Sequence, residues 1–224
     1  MAVEVTIKSK GLFKKNLKFI DVIDSDMRYG IMDEAFRLEE GTIGENTVVF
    51  KDKNICRGYE IAIKKGEVNL RMPLPTSTSD INFFYEYIKR ICTKMNTKIF
   101  TRDEEVLSLD DIENCIRLDI EASEAALKKI EENINNGTYE NMYIFGAINP
   151  VALGKKEMES IQGDATKFGI LMNSLQGMDV YYAKTKVYQR KNESYFGVYV
   201  LTEGIPSVLP EKPKLLMNEN NLKV

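Results

Sequence analysis

Apolar and polar residues alternate from the start of the chain. In AVEVTIK (2–8), Val3, Val5 and Ile7 fall on one side and Glu4, Thr6 and Lys8 on the other, which predicts a half-buried strand. TVVF (47–50) reads as a further short strand, and the period of two returns across RGYEIAIKKGEVNLRMPLP. There Tyr59, Ile61 and Ile63 share a face of one arm and Val68, Leu70 and Met72 a face of the next, with Lys65-Gly66 as the turn. One wet and one apolar face imply antiparallel pairing, with helices covering one side.

Beyond Pro73 and Pro75 the period changes. TSTSD offers several N-cap residues, and INFFYEYIKRICTKM places Ile81, Phe84, Tyr85, Ile88, Ile91, Cys92 and Met95 at helical spacing. After a short strand, TKIFT, a long amphipathic helix is predicted from about Leu107 to Asn135. Its stripe runs Leu109, Ile112, Ile116, Ile120, Ser123, Leu127, Ile130, Ile134. At ~1.5 Å per residue it would cross a whole domain. The stripe fits its own sheet better than a coiled-coil partner, because Ser123 lies inside it and the repeat is short.

Elsewhere the pattern is less regular. Residues 19–39 read as one or two short helices broken near Gly30 and stopped at Gly41. MYIFGAI (142–148) reads as a buried strand ended by Asn149-Pro150. Met158 and Ile161 mark a short helix, and Asp164 caps another that closes at Gly177. DVYYAKTKVYQR and SYFGVYVLT form a second hairpin about KNES. The expectation is an α+β fold of antiparallel hairpins packed on amphipathic helices. It forms a single domain over 1–213, with a seam between two lobes near 100–110 and a weakly ordered tail at 214–224.

Composition then narrows the chemistry. The 224 residues are 43% hydrophobic and 29% charged, as in a soluble globular protein, and none is histidine. The usual general base near neutral pH and the commonest metal ligand are therefore missing. Cys56, Cys92 and Cys115 are far apart with no C-x-x-C spacing, which speaks against structural zinc and for reduced thiols in a cytoplasmic protein. The first residues lack the apolar stretch of a signal peptide, and no run is apolar enough to span a membrane. A net charge of −3 speaks against nucleic acid as partner. One basic stretch, Lys8, Lys10, Lys14, Lys15 and Lys18, is either a contact for anions or a membrane surface, or simply a solvated connection.

Cofactor motifs fail individually. LGKK (153–156) has Lys156 where a phosphate loop needs Ser or Thr. DSDMRYG (24–30) puts Arg28 at a calcium-ligand position and Ala35 where the bidentate Glu belongs. No cofactor and no metal site is expected. Glu203 stands apart from the other carboxylates, which lie in helical charge runs, because it ends the apolar run YVLTEG. It is either a catalytic acid or base, with Arg57 and Tyr182 in one pocket, or the last polar residue before a loop. Tyr181, Tyr182, Tyr188, Tyr195, Phe196 and Tyr199 fall within nineteen residues, as a packed hairpin or as a recognition surface. Tyr181, Tyr182, Arg57 and Glu203 are thus the candidate binding residues, and a protein is the expected partner of a non-catalytic accessory module.

Five segments taken together, RGYEIAI, INFFYEYIKRI, FGAINPVALGKKE, DVYYAK and GVYVLTEGIPSVLPEKP, resemble an uncharacterised bacterial family that carries a domain of unknown function. The resemblance runs from about residue 45 to 213. It implies a soluble bacterial protein and supplies no site residues.

Overall fold

A computed structural model of the chain describes residues 1–9, 16–34, 36–178, 180–183, 185–191 and 194–209. The fold is α+β, and the chain divides into two compact units, Met1–Gly177 and Met178–Val224.

The first unit is built on an eight-stranded antiparallel sheet. Its strands are β1 (Ala2–Lys8), β2 (Met27–Met32), β3 (Leu38–Glu40), β4 (Thr47–Lys51), β5 (Tyr59–Lys64), β6 (Glu67–Pro73), β7 (Ile99–Arg102) and β8 (Glu105–Ser108). They lie in the order β3-β2-β4-β5-β6-β1-β7-β8. The alternation in the sequence sets the register. Val3, Val5 and Ile7 face Met72, Leu70 and Val68 across the β1–β6 ladder, and Leu70 and Val68 face Ile61 and Ile63 across β5–β6. The other face carries the polar set. Arg71 reaches Glu60 at 2.7 Å, Thr6 donates to Asn69 at 2.7 Å, and Lys8 pairs with Glu67 at 3.4 Å. A one-residue slip would send every member of the apolar layer into water.

Helix α1 (Thr78–Lys94) lies against the apolar layer through Ile81, Phe84, Tyr85, Ile88, Ile91 and Cys92, all 0% exposed. Each such large side chain contributes about 1.5–3 kcal/mol of burial. Helix α2 (Ile112–Asn135) follows a 3-10 turn at Leu109–Asp111. Its stripe is divided between two cores: Ile112 and Cys115 join the sheet core, whereas Leu127 and Ile134 join a second core. That second core holds residues of the two-stranded sheet β9 (Met142–Phe145) and β10 (Pro150–Leu153), and of helices α3 (Lys155–Ile161) and α4 (Ala165–Gln176).

The structure differs from the pattern in three places. Residues 19–39 hold β2 and β3 with only a 3-10 turn at Phe19–Asp21, not helices. Gly30 is no helix breaker. A Cβ there would lie 2.4 Å from the Glu39 carbonyl oxygen, so it permits close approach of two strands. The long helix starts at Ile112 because Glu105–Ser108 pairs with β7 instead. The strand at 142–145 is mostly exposed: only Ile144 is buried, at 4%, while Met142, Tyr143 and Phe145 face outward. The 150–153 strand that pairs with it carries Pro150 as its first residue, which is where a strand tolerates proline. Residues 100–110, where a seam is expected from the sequence, lie in β7, β8 and the 3-10 turn; residues 214–224 fall outside the described residues.

One ion pair has a fully buried acid and a half-buried arginine. Asp119 on α2, 1% exposed, accepts from Tyr85 Oη at 2.6 Å and from Arg102 Nη2 at 2.6 Å, and Arg102 Nε donates to Tyr85 Oη at 3.1 Å. This triad joins α1, α2 and β7. Removing one partner strands the others in low dielectric. Asp119→Ala should therefore lower unfolding free energy by roughly 3–5 kcal/mol, and Tyr85→Phe, which removes one donor to the carboxylate, by a smaller amount of roughly 1.5–3 kcal/mol. Urea unfolding measures both, and equal small losses would contradict the arrangement.

Candidate functional site

Arg57 and Gly58 immediately precede β5. Gly58 has φ +65°, and a Cβ there would lie 2.5 Å from the Val49 carbonyl oxygen, so only glycine fits without strain. This bend aims two successive backbone N–H groups at one carboxylate. Arg57 N and Gly58 N each donate to Asp80 Oδ2 at 2.9 Å, and Thr76 Oγ1 donates to the same oxygen at 2.8 Å. Asp80 sits in the first turn of α1, whose N-cap Ser77 accepts from Asp80 N at 3.0 Å. Such a side-chain acceptor satisfies one of the N–H groups that a helix start leaves unpaired.

The Arg57 side chain turns the other way. Its Nε donates to the Phe145 carbonyl at 2.8 Å and its Nη1 to the Pro75 carbonyl at 2.9 Å. The guanidinium thus ties the β9–β10 connection to the segment leading into α1. Nearby, Thr76 N donates to Ser123 Oγ of α2 at 3.2 Å, and Ile55 N donates to Asn173 Oδ1 of α4 at 2.7 Å. The polar Ser123 inside the α2 stripe is therefore a hydrogen-bond acceptor for this junction. Gln176 completes it by accepting from the Ile148 and Asn149 N–H groups and donating to the Asn149 carbonyl, at 2.8–2.9 Å.

Burial pushes the Asp80 carboxyl above its ordinary value, and the surrounding donors and the Arg57 charge do not fully offset it. Burial likewise pushes all three thiols up, Cys92 to about 11 and Cys56 further still, so none is a ready thiolate. Among the described residues no three Cys, Asp or Glu side chains come together to hold a metal ion.

The remaining candidates lie in the second unit. There β11 (Tyr181–Tyr182) pairs in parallel with β14 (Ser207–Val208), and β12 (Thr185–Gln189) pairs antiparallel with β13 (Tyr195–Tyr199). Glu203 is exposed in a turn in which Ile205 N donates to the Thr202 carbonyl, and Gly204 takes φ +79°. Tyr181 is exposed, and Tyr182 lies beside it in β11. Arg57 belongs to the first unit and Glu203 and Tyr182 to the second.

The hairpin β12–β13 has a stacked pair, Tyr188 and Phe196, with ring centroids 5.5 Å apart, and Arg190 lies 5.0 Å over Phe196. Even so, Val187 and Val198 are each about two-fifths exposed, and Tyr188, Val200, Leu201 and Ile205 about half. Residues 186–190 are all exposed, so neither face of β12 is covered. Of the basic stretch, Lys8 and Lys18 are exposed, and Lys10, Lys14 and Lys15 lie outside the described residues. Sequence reasoning does not single out Asp80. The signal available is the glycine just before a strand together with an Asp in the first turn of a capped helix.

A protein-family model described as "Domain of unknown function (DUF4299)" matches residues 2–224. The chain belongs to this family, and the resemblance carried by RGYEIAI and the other segments extends over nearly its whole length. No curated protein and no solved structure matches the chain.

The direction of the Asp80 shift fixes a pH dependence. With its value raised in the folded state, the carboxyl's contribution is full below its ordinary 3.8 and is lost as pH rises through the raised value. Asp80→Asn keeps an oxygen for the three donors while removing the titration. Its stability should decline less than that of the parent as pH rises from 3.8, leaving the part contributed by Asp119, which is raised in the same direction. Chemical denaturation across that range tests this, and an unchanged slope would contradict it.

Proposed function

We propose that this family member is a non-catalytic accessory module that binds a protein through the hairpin β12–β13, the adjoining Tyr181–Tyr182 strand and residues 200–209. The observation that carries the reading is the open apolar surface of that hairpin. An isolated two-stranded hairpin is marginal in water, and exposed aromatic and branched side chains on both its faces favour a covering partner. Tyrosine suits such a surface because it brings large contact area with few rotatable bonds. Arg190, Lys186 and Lys191 add a basic rim that would favour a partner with acidic side chains around an apolar centre.

The alternative, a carboxylate enzyme built on Glu203 with Arg57 and Tyr182, draws less support. Glu203 is exposed in a turn and not enclosed by other side chains. Arg57 has its guanidinium engaged by two backbone carbonyls. The reading also assigns the protein to a bacterial cytoplasm, consistent with three buried, unbridged cysteines. No helix of the described residues is long and apolar enough to cross a membrane.

Affinity capture from a native lysate should recover a stoichiometric protein partner. Tyr188→Ser combined with Val198→Lys should reduce recovery by at least about tenfold, as loss of a central aromatic anchor does, with the far-ultraviolet spectrum unchanged. Capture unaffected by that pair of substitutions, or turnover of a metabolite abolished by Glu203→Gln, would overturn the reading.

A further inference from the structure

The register of the β12–β13 hairpin fixes which of its side chains share a face. Lys186 lies opposite Val198 across the ladder, and Tyr188 opposite Phe196. Side chains alternate along a strand, so Lys186, Tyr188 and Arg190 project together. Two contacts agree with this: the Tyr188 ring stacks on Phe196, and the Arg190 guanidinium lies over the same Phe196 ring. The face has an aromatic centre with a cation beyond each end, Lys186 and Arg190, about 13 Å apart along the strand at ~3.3 Å per residue. Both cations are exposed, and among the described residues neither has a carboxylate within ion-pair distance. On β13, YFGVY, there is no charge at all. The charge therefore belongs to one strand of the pair.

The backbone of that strand also lacks a partner on one side. Arg190 N donates to the Ser194 carbonyl at 2.8 Å, which closes the hairpin. Bonded pairs alternate along an antiparallel ladder, so the peptide groups of Tyr188 and Lys186 likewise turn toward β13. Those of Val187 and Gln189 turn outward. Among the described residues no other strand pairs with β12. Its outer edge is thus a short row of N–H and C=O groups running beside two unpaired cations. Lysine and arginine on an edge repel strands of like charge, which makes pairing there selective for acidic ones.

We propose that the outer edge of β12 takes an extended acidic segment of the partner protein by strand addition. The segment places one acid opposite Lys186, an apolar residue opposite Tyr188 and a second acid opposite Arg190. Its pattern is acid-x-apolar-x-acid. The proposal rests on the reading of the hairpin as a protein-binding surface and specifies what that surface holds. Opposite charges directly across a ladder attract, and an apolar side chain beside Tyr188 extends the aromatic centre. In this mode main-chain hydrogen bonds supply affinity and alternate side chains supply selectivity. Single-stranded nucleic acid would offer phosphates to the cations but no peptide groups to the edge, and the net charge of −3 opposes it. A second copy of this chain cannot supply the pattern, because no two of its acidic residues are four positions apart.

The test is a nuclear magnetic resonance titration of the full chain, up to millimolar peptide, with Glu-Val-Tyr-Thr-Glu flanked by threonines and capped at both ends. Saturable binding is expected, with the Val187 and Gln189 amides among those that shift most. The same peptide with lysine in place of both glutamates should bind at least about tenfold more weakly. Lys186→Glu combined with Arg190→Glu should reverse that preference. Val187→Pro removes an outward N–H, a change that an edge strand tolerates, and should weaken the acidic peptide at least about tenfold while the Tyr188–Phe196 contact persists in the spectrum. No saturable binding of the acidic peptide, equal binding of the lysine peptide, or a preference unmoved by the double charge reversal would each overturn the proposal. So would tighter binding of an oligothymidylate or of anionic vesicles than of the peptide, or sedimentation showing that the free chain already pairs through this edge. If the peptide fails while lysate capture still responds to the Tyr188 and Val198 substitutions, only strand addition falls; if both fail, the protein-binding reading falls with it.

Discussion

The Asp80 carboxylate, buried at the start of α1, is the interaction on which the first unit depends. Three donors converge on one of its oxygens, two of them backbone N–H groups at the entrance to β5. A buried carboxylate is costly unless it is paired and hydrogen-bonded, so the chain around it is constrained to supply those donors. Gly58 must take a positive φ, Thr76 must face inward, and Ser77 must cap the helix. From this point connections run outward: to α2 through Ser123, to the β9–β10 connection through Arg57, and to α4, where Gly169 packs directly under Ser77. The sheet and the helices over it are thereby fixed in one arrangement around a single charge.

The two units differ in where they put their apolar residues. In the first, apolar stripes close into cores that leave Phe84, Tyr85, Ile88 and Phe168 inaccessible to water. In the second, β12 and β13 pair with one another and leave Val187, Tyr188 and Val198 exposed. A closed scaffold and an apolar hairpin left open are what the proposed binding role calls for. Neither unit carries a histidine, the side chain whose unperturbed charge changes near neutral pH.

Sequence pattern made the regular parts of the fold legible. The β5–β6 hairpin, α1, α3 and α4 follow from period, turn glycine and cap residues, because one buried face forces the period on the chain. Where burial is two-sided or absent, that signal fails. The Met27–Met32 strand carries Arg28 and Gly30 and lies beside a short edge strand, so its polarity resembles a helix more than a half-buried strand. The Met142–Phe145 strand has an apolar sequence but faces outward, and apolar composition alone cannot distinguish that from a core strand. Among candidate residues, Arg57 was named as a pocket partner of Glu203, but its structural task was not legible. Its partners are backbone carbonyls 18 and 88 positions away, which leave no trace in local pattern. Asp80 was hidden for the same reason, as one polar residue in a run of N-cap candidates.

Native-state hydrogen exchange at the Arg57 and Gly58 amides tests the central role of the Asp80 junction most directly. If that junction holds the unit together, both amides exchange only when the whole unit unfolds, with the same free energy as the Ile88 and Ile91 amides in α1. Exchange at Arg57 and Gly58 through a much cheaper local opening, while α1 stays protected, would contradict it.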